Sequence, residues 1–364
     1  MQKMVSADSH VVEPADLWKR LVAPTFRDRA PQVVRDARGE DVFVCDGATL
    51  LAPGRLCMAG RTGTDRARPT TMEDVYPGAY DPTVRLKDMA LDGVEGEVLY
   101  PSVAMRLFAL PDLQLKRACL EAYNTWIAEF CGTYPDRFKG IGMIGIDDVE
   151  SAVAELHRVR SLGLAGVMIT IGSDDPALYS NEALDPFWAS AQELRLPVGL
   201  HVSTGQKPLQ LRTQTDETLN GVMEVQRSLA NMIFGGLFYR FPQLKVVSVE
   251  NDAGWAGYFV QRMDYLFNNE SRRATRDYAI KDNGMLPSEY FRRNVGLTFI
   301  RHSTDVEMRR WVGVDNLMWS SDYPHDRSTW PNSRDLLDGL FQGVPEDERR
   351  LLARDNARRL YGFA

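Results

Sequence analysis

From residue 82 onward one period governs the chain: a short apolar run that stops at a turn residue, then a longer amphipathic stretch, repeated throughout. The apolar runs fall at 97–101, 140–146, 165–171, 197–202, 245–250, 295–300 and 317–321, and with residues 4–9 they make eight. Helical periods separate them, at 83–91, 113–134, 149–162, 181–194, 216–239, 254–268 and 304–312, with two more at 333–341 and 346–361. Strands apolar on both faces and joined through helices pair in parallel under a helical layer. The expected fold is therefore α/β, a (β/α)8 TIM barrel, spanning 1–364 as a single unit. An open doubly wound sheet would carry a glycine-rich turn after its first strand, where Ser9-His10-Val11-Val12-Glu13-Pro14 stands instead.

One long insertion follows the first strand. Residues 17–82 lack helical period, contain a hairpin pattern at 42–51 around Asp46-Gly47, and include a Gly, Thr and Arg-rich run at 60–68. Long excursions of this kind serve as lids or arms, so 17–82 is read as a cap beside the rim of the first strand.

A barrel does its chemistry at the C-terminal ends of its strands. Asp8 and His10, two residues apart, share one face of the first strand, with Ser9 on the other. The fifth strand ends in His201, the sixth in Glu250-Asn251-Asp252, and the eighth in Ser321-Asp322, followed by Tyr323-Pro324-His325. Taken singly, each has an ordinary reading as a cap, a core histidine or a turn. Brought round one cavity, two imidazoles and several carboxylates suit a divalent cation such as Zn²⁺, Mn²⁺ or Fe²⁺, with one ion or two. The loop after the second strand, 102–111, is apolar around Arg106. It predicts a small-molecule substrate with an apolar or aromatic body, Arg106 meeting its carboxylate. His157 lies inside a helix, and His302 only follows a strand end.

The net charge of −7 provides no basic stripe, which excludes nucleic acid as a partner. No apolar run of about 18 residues occurs, so no membrane partner and a cytoplasmic setting are expected. Cys45, Cys57, Cys119 and Cys131 show no paired spacing and read as reduced, buried thiols.

Asp8-Ser9-His10 with Glu13-Pro14, Phe241-Pro242 and Leu244-Lys245 leading into Ser248-Val249-Glu250, Ser320 to His325, and Asn356-Ala357 with Leu360-Tyr361-Gly362 resemble the amidohydrolase superfamily. More narrowly they resemble its amidohydrolase-related branch, which includes aminocarboxymuconate-semialdehyde decarboxylase. The resemblance spans nearly the whole barrel and implies a metal held by Asp8, His10, His201 and Asp322, in a homodimer. The chain departs from the decarboxylase pattern twice, with Asp-x-His where His-x-His or Glu-x-His is common, and with Glu250 where a histidine commonly ends the sixth strand.

That glutamate tilts the expectation towards a metal-dependent hydrolase that cleaves an ester, thioester, lactone or amide of an apolar or aromatic acyl substrate. Asp322 would accept the proton of a metal-activated water. Glu250 would orient that water or bridge a second ion, and His325 would assist the leaving group or the oxyanion. The alternative is a metal-dependent non-oxidative decarboxylase of a small aromatic or unsaturated carboxylic acid, with Glu250 kept protonated by burial and acting as the acid. A barrel serving only to bind would take up no metal.

Overall fold

The computed structural model describes residues 3–61, 70–172, 175, 177–205, 214–269, 280 and 284–364. Its first strand, β1 (Met4–His10), is followed by the three strands of a small antiparallel sheet, β2 (Gln32–Arg35), β3 (Asp41–Cys45) and β4 (Ala48–Leu51). Then come β5 (Val94–Tyr100), β6 (Phe138–Met143), β7 (Gly166–Ile169), β8 (Val198–His201), β9 (Val246–Val249), β10 (Val295–Phe299) and β11 (Leu317–Trp319). Together with β1 these seven form an eight-stranded sheet in chain order, every adjacent pair parallel. The expected (β/α)8 barrel is thus observed.

The strands are almost entirely buried, as both faces must be when side chains fill the barrel and helices cover it. The helix Leu113–Gly132 shows how the outer layer is written. Leu115, Cys119, Tyr123, Trp126, Ile127 and Phe130 recur every three or four residues and are buried, and the Asp112 carboxylate caps the first turn by accepting from Gln114 and Leu115 N–H.

The barrel closes in an irregular way. Among the described residues β1 and β11 share no strand ladder. Single bonds join them: Ser321 N–H donates to Ser6 Oγ at 2.8 Å, Asp322 N–H to the Asp8 carbonyl at 3.0 Å, and His10 N–H to the Tyr323 carbonyl at 2.6 Å. The hydroxyls of Ser6, Ser9 and Ser321 lie 2.9–3.2 Å from one another across this seam. Beneath it, the buried guanidinium of Arg85 pairs with Glu97 and donates to the carbonyls of His10, Gly78 and Tyr323.

The small sheet lies against the start of the Leu113–Gly132 helix. Arg29 bridges Asp46 and Asp112, Trp18 Nε1 donates to the Cys119 carbonyl, and Trp18 meets Phe43 edge-on. Its tight hairpin uses Asp46 (φ 50) and Gly47 (φ 79), both left-handed, as a two-residue turn of this hand requires. The run at 60–68 falls mostly outside the described residues, as does most of the loop after Ser203.

Several helix readings change, among them 216–239, which divides into Gln214–Phe234 and Leu237–Arg240. The stretch 304–312 breaks at Met308 into Ser303–Glu307 and Arg309–Val312. The helix Pro287–Asn294, absent from the sequence reading, precedes β10. It is too short for a strong period, although Pro287 at its first turn is a start signal.

Candidate metal centre

At the C-terminal rim the chain bends sharply at three acidic residues. Glu250 (φ 55), Asp252 (φ 51) and Asp322 (φ 55) all take the left-handed conformation, uncommon outside glycine and tolerated best by Asp and Asn. The bends are held by specific bonds: Glu250 N–H donates to Thr298 Oγ1, and His325 N–H donates back to the Asp322 carbonyl.

The strand ends and these bends bring together most of the residues singled out in the sequence. His10 Nε2 lies 3.5 Å from Asp8 Oδ1, 3.5 Å from Asp322 Oδ1 and 3.9 Å from Glu250 Oε2. His201 Nε2 lies 3.7 Å from Asp8 Oδ1 and 3.5 Å from Glu250 Oε2. His325 stacks on His10 with ring centroids 3.9 Å apart, and its Nδ1 is 3.1 Å from Asp322 Oδ1. One ligand atom each from Asp8, His10, His201 and Glu250 falls within a 4.8 Å span, and the same holds for His10, Glu250, Asp322 and His325.

The chemistry of this donor set fits a cation. His10 Nδ1 is 2.8 Å from the Pro101 carbonyl and His201 Nδ1 is 2.9 Å from the Val202 carbonyl. A carbonyl only accepts, so each Nδ1 carries the proton and each Nε2 presents a lone pair to the cavity, which is the tautomer a metal requires. Both Nε2 atoms and all four carboxylate oxygens of Asp8 and Asp322 are buried without a hydrogen-bond partner. Such orphaned acceptors are costly unless a cation satisfies them.

The electrostatics agree. Burial, reinforced by Asp8, pushes Asp322 well above the carboxylate range, and burial reinforced by Asp322 does the same to Glu250. Burial and the neighbouring imidazoles hold His10 low, and burial holds His325 down to about 4. For His201 burial works downward, but the nearby carboxylates of Asp8 and Glu250 lift it to about 9. A divalent ion among these groups would favour the ionised carboxylates and neutral imidazoles.

Arg106 stands apart. It lies on the short helical turn Ala104–Ala109, half-buried, and its guanidinium has no hydrogen bond or ion pair among the described residues. Asp252 turns to His302, Oδ2 to Nε2 3.7 Å, on the exposed side of the rim.

Three participants escaped the sequence reading. Ser102 Oγ is 2.9 Å from His325 Nε2, the Pro101 carbonyl fixes His10, and buried Glu13 accepts from the N–H groups of Val103 and Ala104. Only Glu13 carried a signal, as part of the Glu13-Pro14 motif after the first strand.

A parallel eight-stranded barrel with histidines and carboxylates gathered at its C-terminal rim defines a metal-binding barrel enzyme. The family model for amidohydrolases matches residues 102–363, and the chain belongs to the amidohydrolase superfamily, in its amidohydrolase-related branch. It is 26% identical over 296 residues to the gamma-resorcylate decarboxylase of Polaromonas sp., covering 77% of this chain and 86% of that one. Among solved structures it resembles an amidohydrolase from Mycobacterium avium subsp. paratuberculosis, with TM-score 0.76, 24% identity and 99% of each chain covered. It also resembles a dihydroxybenzoic acid decarboxylase from Polaromonas sp. solved with bound manganese and 2-nitroresorcinol, with TM-score 0.65, 20% identity, and 100% of this chain and 97% of that one covered.

These relatives overturn the hydrolase expectation. Glu250 in place of a histidine was the ground for water activation, yet the similarity leads to enzymes that break a carbon–carbon bond. Among the described residues no helix is long and apolar enough to cross a membrane.

Proposed function

We propose that the protein is a metal-dependent non-oxidative decarboxylase of a small aromatic carboxylic acid, of the hydroxybenzoate kind. The similarity to gamma-resorcylate decarboxylase over 86% of that protein carries the reading. The orphaned acceptor atoms of Asp8, His10, His201 and Asp322 supply the site it needs, and the manganese of the Polaromonas structure makes Mn²⁺ the first ion to supply.

Asp8, His10, His201 and Asp322 would hold the metal. When bound, it would anchor the oxygens of the substrate and draw off negative charge from the ring. Glu250 is the proton donor in this scheme. Its side chain is 11% exposed where those of Asp8 and Asp322 are fully enclosed, so it is the carboxyl of the cluster that a substrate can meet. Glu250 passes its proton to the ring carbon that bears the carboxylate. The carbon–carbon bond then breaks, its electron pair restores the aromatic ring, carbon dioxide leaves, and Glu250 regains a proton from water. His325 stacks on His10 and sets its Nδ1 beside Asp322 Oδ1, 3.1 Å away. Arg106, half-buried and lacking a counter-ion among the described residues, is the proposed partner of a substrate anion.

The test is to incubate manganese-loaded protein with 2,6-dihydroxybenzoate and related hydroxybenzoates in deuterated water. Carbon dioxide should be released with one deuterium at the vacated ring carbon. Hydrolysis of aryl esters without any release of carbon dioxide from the acids would refute the reading.

A further inference from the structure

The opposite end of the barrel carries a charge pattern that the chemistry at the rim does not use. A cavity of about 580 Å³ opens at the N-terminal ends of β8 to β11, between Pro197, Lys245, Val295 and Met318. Four cations line it, Arg195, Lys245, Arg292 and Arg359, and among the described residues Asp315 is its one acid. That acid belongs to Arg359, whose Nη2 lies 3.0 Å from Asp315 Oδ1. Lys245 Nζ donates to the Arg293 carbonyl, and Arg292 donates to the Trp311 carbonyl and the Ser288 hydroxyl. Arg195 makes no side-chain hydrogen bond or ion pair among the described residues. Neutral acceptors orient a cation without cancelling its charge. Three positive charges therefore face one cavity uncompensated, in a chain whose net charge is −7. Burial and the guanidinium groups of Arg293 and Arg359 hold the Lys245 ammonium below its usual range, the mark of a positive local field.

Arg195 stands there against the preference of its backbone. The helices Val149–Ser161 and Asp185–Glu193 end in the same way, Leu164 N–H returning to the Val159 carbonyl and Leu196 N–H to the Ala191 carbonyl. The residue before each leucine is left-handed, Gly163 at φ 81 in the first turn and Arg195 at φ 54 in the second. Glycine suits that conformation, and a residue with a Cβ resists it. An arginine kept where the preceding turn uses glycine points to a task for its side chain, and that side chain lines the cavity.

We propose that this cavity is a second binding site, for a small molecule carrying two or more phosphate or carboxylate groups, held by Arg195, Lys245 and Arg292 on the face of the barrel opposite the metal centre. Its volume is that of a metabolite pocket, and the exposed cationic residues are open to a ligand arriving from solvent. The guanidinium forks pair with two oxygens of either kind of group, while the Lys245 ammonium adds a point charge.

The experiment is calorimetric titration of manganese-loaded protein with inorganic pyrophosphate in one arm and propane-1,2,3-tricarboxylate in the other, each against chloride at equal ionic strength. One equivalent of at least one probe should bind with a dissociation constant below about 1 mM. Binding in one arm alone assigns the ligand to phosphates or to carboxylates, and binding in both marks a site that reads charge. Lys245→Met and Arg195→Gly should each weaken binding by about tenfold or more, as loss of one charge-assisted bond predicts. Without anion, Arg195→Gly should melt no lower than wild type because it relaxes the turn, and it carries the test alone if Lys245→Met does not fold. The proposal is overturned if neither probe binds better than chloride. It is also overturned if the heat survives in Arg195→Gly or in folded Lys245→Met, as heat from metal stripped at the rim would. An Arg195→Gly protein that melts below wild type overturns it too, since the arginine then serves the turn.

Discussion

The most direct perturbation is to strip the metal and replace one carboxylate by its amide. Three carboxylates, Asp8, Glu250 and Asp322, crowd two imidazoles in one dry cavity, and a divalent ion is the natural remedy. At a concentration of 100 times its dissociation constant, an ion that binds only the folded state adds about 2.7 kcal/mol of stability. Unfolding entropy of about 2.1 cal/mol/K per residue amounts to about 0.8 kcal/mol per degree for 364 residues, so Tm should rise by about 3 to 4 °C. Asp322→Asn keeps the left-handed backbone, which Asn tolerates as Asp does, while removing one charge. It should therefore raise the Tm of the metal-free protein and abolish most of the shift on adding Mn²⁺. Calorimetry of both proteins with chelator and with Mn²⁺ reads all four states. The reasoning is refuted if metal-free Asp322→Asn melts below metal-free wild type, or if both proteins gain equally from the ion.

Further expectations concern residues at and below the rim. Arg85→Met leaves Glu97 buried without its partner and should cost about 3–5 kcal/mol in urea unfolding, with at least half recovered in Arg85→Met/Glu97→Leu. Glu250→Gln should retain a Tm shift on adding Mn²⁺ but lose about a hundredfold or more in carbon dioxide release, the scale of a proton donor's contribution. Arg106→Met should raise KM for a hydroxybenzoate by about 10 to 100-fold with kcat little changed, as loss of one charge-assisted bond predicts, measured by steady-state kinetics. Burial lifts the Glu13 carboxyl from its usual 4.5 to about 7 against the pull of the Ala104 and Val103 N–H groups. The folded chain then binds the extra proton, so this group's stabilisation is complete below about pH 4.5 and lost as pH rises through 7. Relative to Glu13→Gln, wild type should lose up to about 3 kcal/mol across that window, as followed by denaturant titrations at several pH values.

Most of this architecture can be read from the letters alone. Parallel strands buried on both faces have little choice but to be apolar throughout, so 140–146 or 197–202 announce themselves, and the structure trims them to Phe138–Met143 and Val198–His201. Asp8, His10, His201, Glu250 and Asp322 were legible because strand ends in a barrel share one rim, making their position in sequence a proxy for their position in space. Ser102 and the Pro101 carbonyl were not, because a backbone carbonyl has no letter and a serine in an apolar loop has no period. Chemistry was the harder inference. Glu250 in place of a histidine changes the charge of the site, but charge by itself does not distinguish a carboxyl that activates water from one that delivers a proton, and the relatives supplied that distinction.

The irregular seam between β1 and β11 also carries a consequence for biosynthesis. Its hydroxyl pair, Ser6 and Ser321, lies 315 residues apart along the chain. At ribosomal rates of about 5–20 residues per second, the early half of the centre waits roughly 15 to 60 s for its counterpart. Asp8 and His10 emerge first, yet no complete site exists until Asp322 has followed and docked. The full donor set is therefore offered to a metal only once the barrel has shut, so binding by all of it secures the finished molecule.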